Sequence, residues 1–219
     1  ARAAFEWSTT ESFANAHALP PLDVLPESDF AVKQLVENLP SGQDIFYRVT
    51  FTDLTDVNAA SEPVTGHFRT APAGGRDVSF VWSGDTAGQG WGIDLDRGGM
   101  QAYATMLKHA PDFFIHCGDN VYSDGPLSAE VDLPDGTKWK NVVIEEKSKV
   151  AETLAEFRGQ YKYNLLDKNV VAFNAQVPML AQWDDHEVSN NWSDSKVFDE
   201  RYTEKNVRLL AARAARAFH

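Results

Sequence analysis

The sequence predicts an α/β protein: a half built on a parallel sheet, preceded by a small antiparallel β domain. Apolar and polar residues alternate with period two before residue 72. Beyond residue 76, short apolar runs alternate with stripes at helical spacing. Three of those runs end in an aspartate, at Asp85, Asp119 and Asp185.

In the first region, Ile45, Tyr47, Val49 and Phe51 alternate with Phe46, Arg48, Thr50 and Thr52, and Val64, Gly66 and Phe68 with Thr65, His67 and Arg69. That pattern marks half-buried strands. Leu39-Pro40-Ser41-Gly42 is a turn that separates Phe30–Asn38 from Ile45–Phe51. Residues 1–72 are expected to form an antiparallel β-sandwich that lacks its first strands. The Pro- and Gly-rich run Thr70-Ala71-Pro72-Ala73-Gly74-Gly75-Arg76 marks the boundary, and the second domain is placed at 76–219.

The second region reads as strand 78–82, helix 99–109, strand 112–117, helix 148–165 and strand 177–182. Met100, Tyr103, Ala104 and Leu107 form one helical stripe, and Val150, Leu154, Phe157, Tyr161 and Leu165 another. Tyr103, Tyr161 and His116 are expected as packing residues. The loop 85–98 suits a ligand-facing connection and a surface loop alike. The loop 123–147, with Leu133-Pro134-Asp135-Gly136, reads as an insertion with a hairpin-type turn. A last helix is expected over 199–219, with Val207, Leu210, Ala214 and Phe218 on one face. It stops without a glycine cap, and three strands leave one sheet face uncovered, so the chain is read as part of a longer catalytic domain.

Bulk composition narrows the function classes. The chain has 219 residues, 43% hydrophobic and 24% charged, which is the balance of a folded protein. A net charge of −12 argues against a nucleic-acid backbone as the main partner. No apolar stretch approaches the roughly 20 residues of a membrane helix, and Ala1 opens no basic-then-apolar leader. Cys117 is the single cysteine, so no intrachain disulfide forms, and its place in a strand predicts a small apolar core residue.

In open parallel sheets, ligands sit beyond the carboxyl ends of the strands. Those ends would gather Asp85, Asp119, Tyr122, Asp185 and His186, with Asn120, Asn190 and Asn191 close in sequence. Carboxylates crowded into one crevice repel one another unless protons or cations compensate them. Carboxylates with phenol and imidazole suit a hard or borderline metal, and more than one of them. No Gly-x-Ser-x-Gly elbow is present, which disfavours serine-hydrolase chemistry.

Gly84-Asp85, Gly118-Asp119-Asn120-Val121-Tyr122 and Trp183-Asp184-Asp185-His186-Glu187-Val188-Ser189-Asn190-Asn191-Trp192 together resemble the alkaline phosphatase D family of metallophosphoesterases. The Gly-Asp-x-x-Tyr element is shared with purple acid phosphatases. The resemblance implies a calcineurin-like core that hydrolyses phosphate monoesters or diesters by a metal-bound hydroxide at a multinuclear site. It implies iron(III) with calcium, manganese and zinc being the alternatives, and a periplasmic or extracellular location. By motif, Asp85 and Tyr122 would bind iron, Asp119 would bridge the metals and Asp185 would hold the second. His186 would face the phosphate or leaving group, and Asn120 and Asn190 would assist the substrate. The implied partner is a small-molecule phosphate ester. Ser83 and Ser123 stand where some relatives carry a cysteine two residues before the first aspartate and a glutamate after the tyrosine. Further metal ligands are expected from sequence beyond residue 219. The alternative reading is a non-catalytic metal- or phosphate-binding module.

Overall fold

The computed structural model describes residues 1–219 apart from Val57, and the chain divides into two compact units. The first comprises Ala1–Ser79 with Ala175–Pro178. Its strands are β1 (Arg2–Ser8), β2 (His17–Ala18), β3 (Leu22–Asp23), β4 (Asp44–Thr52) and β5 (Val64–Arg69). They form a single antiparallel sheet in the order β2-β1-β4-β5, with β3 also paired to β1. The register sets Phe5 opposite Val49 and Ile45 opposite Phe68. The alternation read in 45–51 and 64–69 thus falls on paired strands, and β1 begins at Arg2, where no strand was expected.

The segment Phe30–Asn38 joins no ladder. Its burial alternates: Val32, Gln34 and Val36 are half-buried while Ala31, Lys33 and Leu35 are exposed. Gln34, Val36 and Leu39 line a cavity of about 190 Å³ with Phe5, Trp7 and Ile45.

The second unit comprises Phe80–Asn174 and Met179–His219. Strands β6 (Phe80–Ser83), β7 (Phe113–His116) and β10 (Met179–Ala181) make a parallel sheet in the order β10-β7-β6. The intervening hairpin pairs β8 (Glu130–Asp132) with β9 (Lys138–Lys140). Its helices are α1 (Gln101–Lys108), α2 (Leu154–Asn164), α3 (Lys168–Asn174) and α4 (Val207–Phe218). The mixed α/β class read from the sequence holds.

Alternation along β7 decides which side chains enter the core. Phe114 is fully buried and meets Tyr103 of α1 and Phe173 of α3 edge-on at 6.2 and 5.3 Å, and those two rings meet each other at 5.4 Å. His116 is buried on the same side. Phe113, Ile115 and Cys117 point the other way, where Trp82, Ile115 and Leu180 stand in register across the sheet. Trp82 is 70% exposed and Leu180 63%. Cys117 is therefore exposed, not a core residue, because among the described residues that face of the sheet has no covering layer.

Two helices differ from their expected bounds. α4 starts at Val207, where the Asn206 side chain caps Leu209 N–H, while 199–206 forms turns held partly by Glu152. α2 starts at a capping box, Thr153 with Glu156, and buries Phe157, Gly159, Gln160 and Tyr163. Leu165 lies past its end and is exposed. α3 has only seven residues, too short for its period to stand out in the sequence. No described helix is long and apolar enough to cross a membrane.

Candidate metal centre

Because β6, β7 and β10 run parallel, their carboxyl ends share one edge. The pairing continues past the strands: Cys117 N–H donates to Ser83 O at 2.7 Å, Asp85 N–H to Gly118 O at 3.2 Å and Thr86 N–H to Asp119 O at 2.9 Å. This extension carries the first two aspartates side by side. Asp85 and Asp119 both sit in the left-handed region, at φ 58° and 52°. Such a backbone costs a non-glycine residue about 1–3 kcal/mol and persists where surrounding structure fixes it. Between them Gly118 has φ 110°, and a Cβ there would stand 2.6 Å from the Asp184 Cβ. Only glycine fits that crossing.

Tyr122 closes the pair. Its hydroxyl donates to Asp85 Oδ1 and lies 3.2 Å from Asp119 Oδ2, so one phenol proton sits between two carboxylates. Burial, then the Asp85 and Asp119 carboxylates, push the phenol well above its ordinary range. A Cβ on Gly88 would overlap the Tyr122 ring, so the 85–92 loop lies directly against one side of the tyrosine. The His186 ring covers it at 4.3 Å.

The third strand end adds Asp185 and His186. One ligand atom each from Asp119, Asp185 and His186 lies within 4.8 Å of the other two. His186 N–H donates to Asp119 Oδ1 at 3.2 Å, and Asp185 Oδ2 accepts the Asn191 N–H. Desolvation pushes Asp119 up to about 6, with the His186 backbone and imidazole pulling against it and Asp185 and Glu187 adding to the rise. Oxygen donors with one imidazole, one carboxyl held partly protonated and a phenol proton bridging two carboxylates form a set that divalent or trivalent ions fit by displacing protons.

The two asparagines are placed differently. Asn120 is buried, and its amide donates to Glu187 Oε1 at 2.8 Å and Gln182 O at 2.7 Å. Asn190 is exposed; its N–H donates to Asp124 Oδ2 at 2.8 Å and its side chain accepts from Asn191. His116 is packed, with Nε2 2.7 Å from Thr86 Oγ1, and burial lowers its pKa.

Three residues carry the site without having been singled out from the sequence. Asp124 holds His186 Nδ1 at 2.7 Å. Burial alone would lower the His186 pKa, but the hydrogen bond and charge of Asp124 override it and the net shift is upward. Burial likewise opposes ionisation of Asp124, and the bonds from His186 and Asn190 bring it below the usual carboxylate range. Beneath them, Glu187 accepts Asn120 N–H at 2.5 Å and Asp184 N–H at 2.9 Å. Lys147, 2% exposed, donates to Tyr122 O at 3.1 Å and Gln160 Oε1 at 2.8 Å. Burial pushes Lys147 down to about 8. The only sequence signal for Asp124 is an acid two residues past the tyrosine, and nothing in the sequence points to Lys147.

Residues 80–219 match the family model described as PhoD-like phosphatase, and residues 1–72 match the PhoD-like phosphatase N-terminal domain. The chain is 28% identical over 154 residues to alkaline phosphatase D of Bacillus subtilis (strain 168), a match covering 70% of this chain and 24% of that protein. A solved structure described as the structure of PhoD superposes with a TM-score of 0.73 at 23% identity, covering 99% of this chain and 38% of that one. The chain thus spans about a quarter of the length of this curated relative.

Proposed function

The chain belongs to the PhoD-like phosphatase family, and from that premise we propose that it supplies the strand-end half of a metal-dependent phosphoesterase centre. The reading is carried by one observation: the Asp119 and Asp185 carboxylates and the His186 imidazole converge within 4.8 Å of one another beside a tyrosine bonded to two carboxylates. Asp85 and Tyr122 would hold iron(III), Asp119 would bridge and Asp185 would hold a second ion, with calcium preferred to manganese or zinc. The metals, when bound, supply charge against the phosphoryl oxygens and a water acidic enough to attack at neutral pH.

The chain's own residues do the rest. With a metal present, Tyr122 would give up its shared proton and so free the carboxylate lone pairs of Asp85 and Asp119 that it now occupies. Gly118 and the left-handed Asp85 and Asp119 fix the carboxylates before substrate arrives, so no reorganisation is needed at the reacting centre. His186 Nε2, on the edge facing Asp185, protonates the departing alkoxide. Asn190 stands at the exposed rim, where its amide would meet a phosphate oxygen. The buried amide of Asn120 would act on the substrate only by fixing the loop that carries Asp119.

The substrate class is a small phosphate monoester or diester. The calcineurin-like core, the sandwich reading of residues 1–72, the boundary at 76 and a periplasmic or extracellular location belong to the same proposal. Elemental analysis with an absorption spectrum of the purified full-length protein tests it. Iron with a broad visible band that vanishes in Tyr122→Phe is expected. Colourless zinc or manganese would remove the iron assignment, and bound metal without phosphate release would leave a binding module.

A further inference from the structure

We propose that the cavity where α1, α2 and α3 meet β7 and β10 is a binding site for a small neutral alcohol or phenol, whose hydroxyl is held by His116 and Tyr161. The cavity measures about 210 Å³ and is lined by residues at those five elements together with Thr86 and Asn120. Asp85, Asp119, Tyr122, Asp185 and His186 do not line it. The site is therefore separate from the metal centre, and the inference is independent of the reading given to that centre.

Two buried polar atoms at this cavity lack partners. His116 is 2% exposed, and its Nε2 is taken by Thr86 Oγ1 at 2.7 Å, an oxygen that also meets the Tyr103 hydroxyl at 2.8 Å. That leaves the buried Nδ1 with no hydrogen-bond partner among the described residues. The Tyr161 hydroxyl, carried by α2, is the second such atom. Buried polar groups are almost always paired, because leaving one unpaired forfeits its solvation without return, so two orphans at one cavity mark a place where a ligand hydrogen-bonds. Thr86 has one hydroxyl proton to give, to His116 or to Tyr103, so Nδ1 serves as donor or acceptor accordingly. A ligand hydroxyl both donates and accepts, and it matches either state. Burial and the Glu187 carboxylate push the Tyr161 phenol above its ordinary range, so it too remains a neutral hydroxyl.

Size, wall chemistry and charge set the rest of the ligand. Leu165, Val170 and Met179 give the cavity an apolar wall, which gains from an apolar body and nothing from water. A cavity of about 150 Å³ holds a benzene ring, so this one takes a six-membered ring with a substituent. Leu165 and Met179 are 53% and 45% exposed and form its mouth. No Asp, Glu, Lys or Arg lines the cavity. The outside charges acting on His116 are the Glu187 and Asp85 carboxylates, and Glu187 acts on Tyr161 as well. An anion would lose its hydration, find no cation and be repelled by these carboxylates, which excludes a phosphate ester here.

The test is a calorimetric titration of the full-length protein with phenol, toluene and benzoate, for wild type and Tyr161→Phe. Nuclear Overhauser contacts from phenol to the Val170 and Met179 methyl groups locate the ligand. Tyr161→Phe keeps the ring and removes a hydroxyl that bonds to no other described residue, so the fold is retained. Phenol is expected to bind saturably with contacts to both methyl-bearing residues, toluene about tenfold more weakly or worse, and benzoate not at all. Tyr161→Phe is expected to weaken phenol by about fivefold to tenfold, the worth of one hydrogen bond, and to leave toluene unchanged. Equal affinity for phenol and toluene, or unaltered phenol binding in Tyr161→Phe, would overturn the role of the two polar atoms and with it the proposal. Saturable benzoate would overturn the neutral class of ligand. Phenol that fails to saturate, or binds without contacts to Val170 and Met179, would mean that the cavity takes water only and would overturn the proposal outright.

Discussion

Two sets of polar side chains meet at the strand ends, and they are built on opposite terms. In the outer set, Asp85, Asp119, Tyr122 and Asp185 crowd together, two of them on left-handed backbone, with a single phenol proton between two carboxylates. In the inner set Glu187, Asn120, Lys147 and Gln160 are buried and tied to one another or to backbone. Gln160 also donates to Glu146 O at 2.7 Å. The outer set is unfavourable for the fold taken alone and suits an incoming cation. The inner set holds it in place, and the two should respond to substitution with opposite signs.

The inner set gives the largest expected loss. Glu187→Ala orphans the Asn120 N–H and the Asp184 N–H and takes one of its two partners from the Asn120 amide, which keeps Gln182 O. Unsatisfied buried donors cost about 1–3 kcal/mol each, so urea denaturation should show a loss of roughly 3 kcal/mol or more. An unchanged midpoint would erase the distinction between the sets.

Lys147 sharpens the comparison through pH. Its folded pKa is pushed down to about 8 from 10.5, so the unfolded chain binds more protons between those values and stability rises with pH across that window. A fall of that size corresponds to about 3 kcal/mol at most. Denaturation midpoints at pH 7.5 and 10 should differ in that direction, and Lys147→Met should flatten the rise. A midpoint that falls would mean the ammonium is stabilised where it lies.

Gly118→Ala strains φ 110° and drives a Cβ against Asp184. A loss of about 2 kcal/mol is expected, together with weaker metal binding, since Gly118 sits between the two sets.

The outer set gives the smallest effect and the opposite sign. Asp119 is an acid pushed up to about 6 from 3.8, so the folded protein binds more protons in that window and loses stability as pH rises through it. Above pH 6, metal-free Asp119→Asn should be no less stable than wild type by thermal denaturation. A clear loss there would move Asp119 into the structural set.

How much of this was legible follows from the same contrast. The outer residues stand at the ends of short apolar runs, beside Gly84 and Gly118, so the sequence itself sets Asp85, Asp119 and Asp185 at one sheet edge. The inner partners come from distant sequence: Lys147 reaches Tyr122 across 25 residues and Asp124 reaches His186 across 62. No local period records such contacts. The exposure of Cys117 was missed because a strand's composition does not say whether both faces are covered. Placing Phe30–Asn38 before a turn to Ile45–Phe51 does not say whether it pairs, and it packs against one face without joining a ladder.

The most direct test is the denaturation midpoint of chelator-stripped protein against the same protein reloaded with metal, for wild type and Asp119→Asn. Metal at about a hundred times its Kd adds roughly 2.7 kcal/mol to a fold that binds it. Wild type should gain on that order, and Asp119→Asn should gain little while its stripped form is no weaker than wild type's. Stripped and reloaded wild type with the same midpoint, and a stripped Asp119→Asn that melts early, would contradict the account: the crowded strand ends would then be structural.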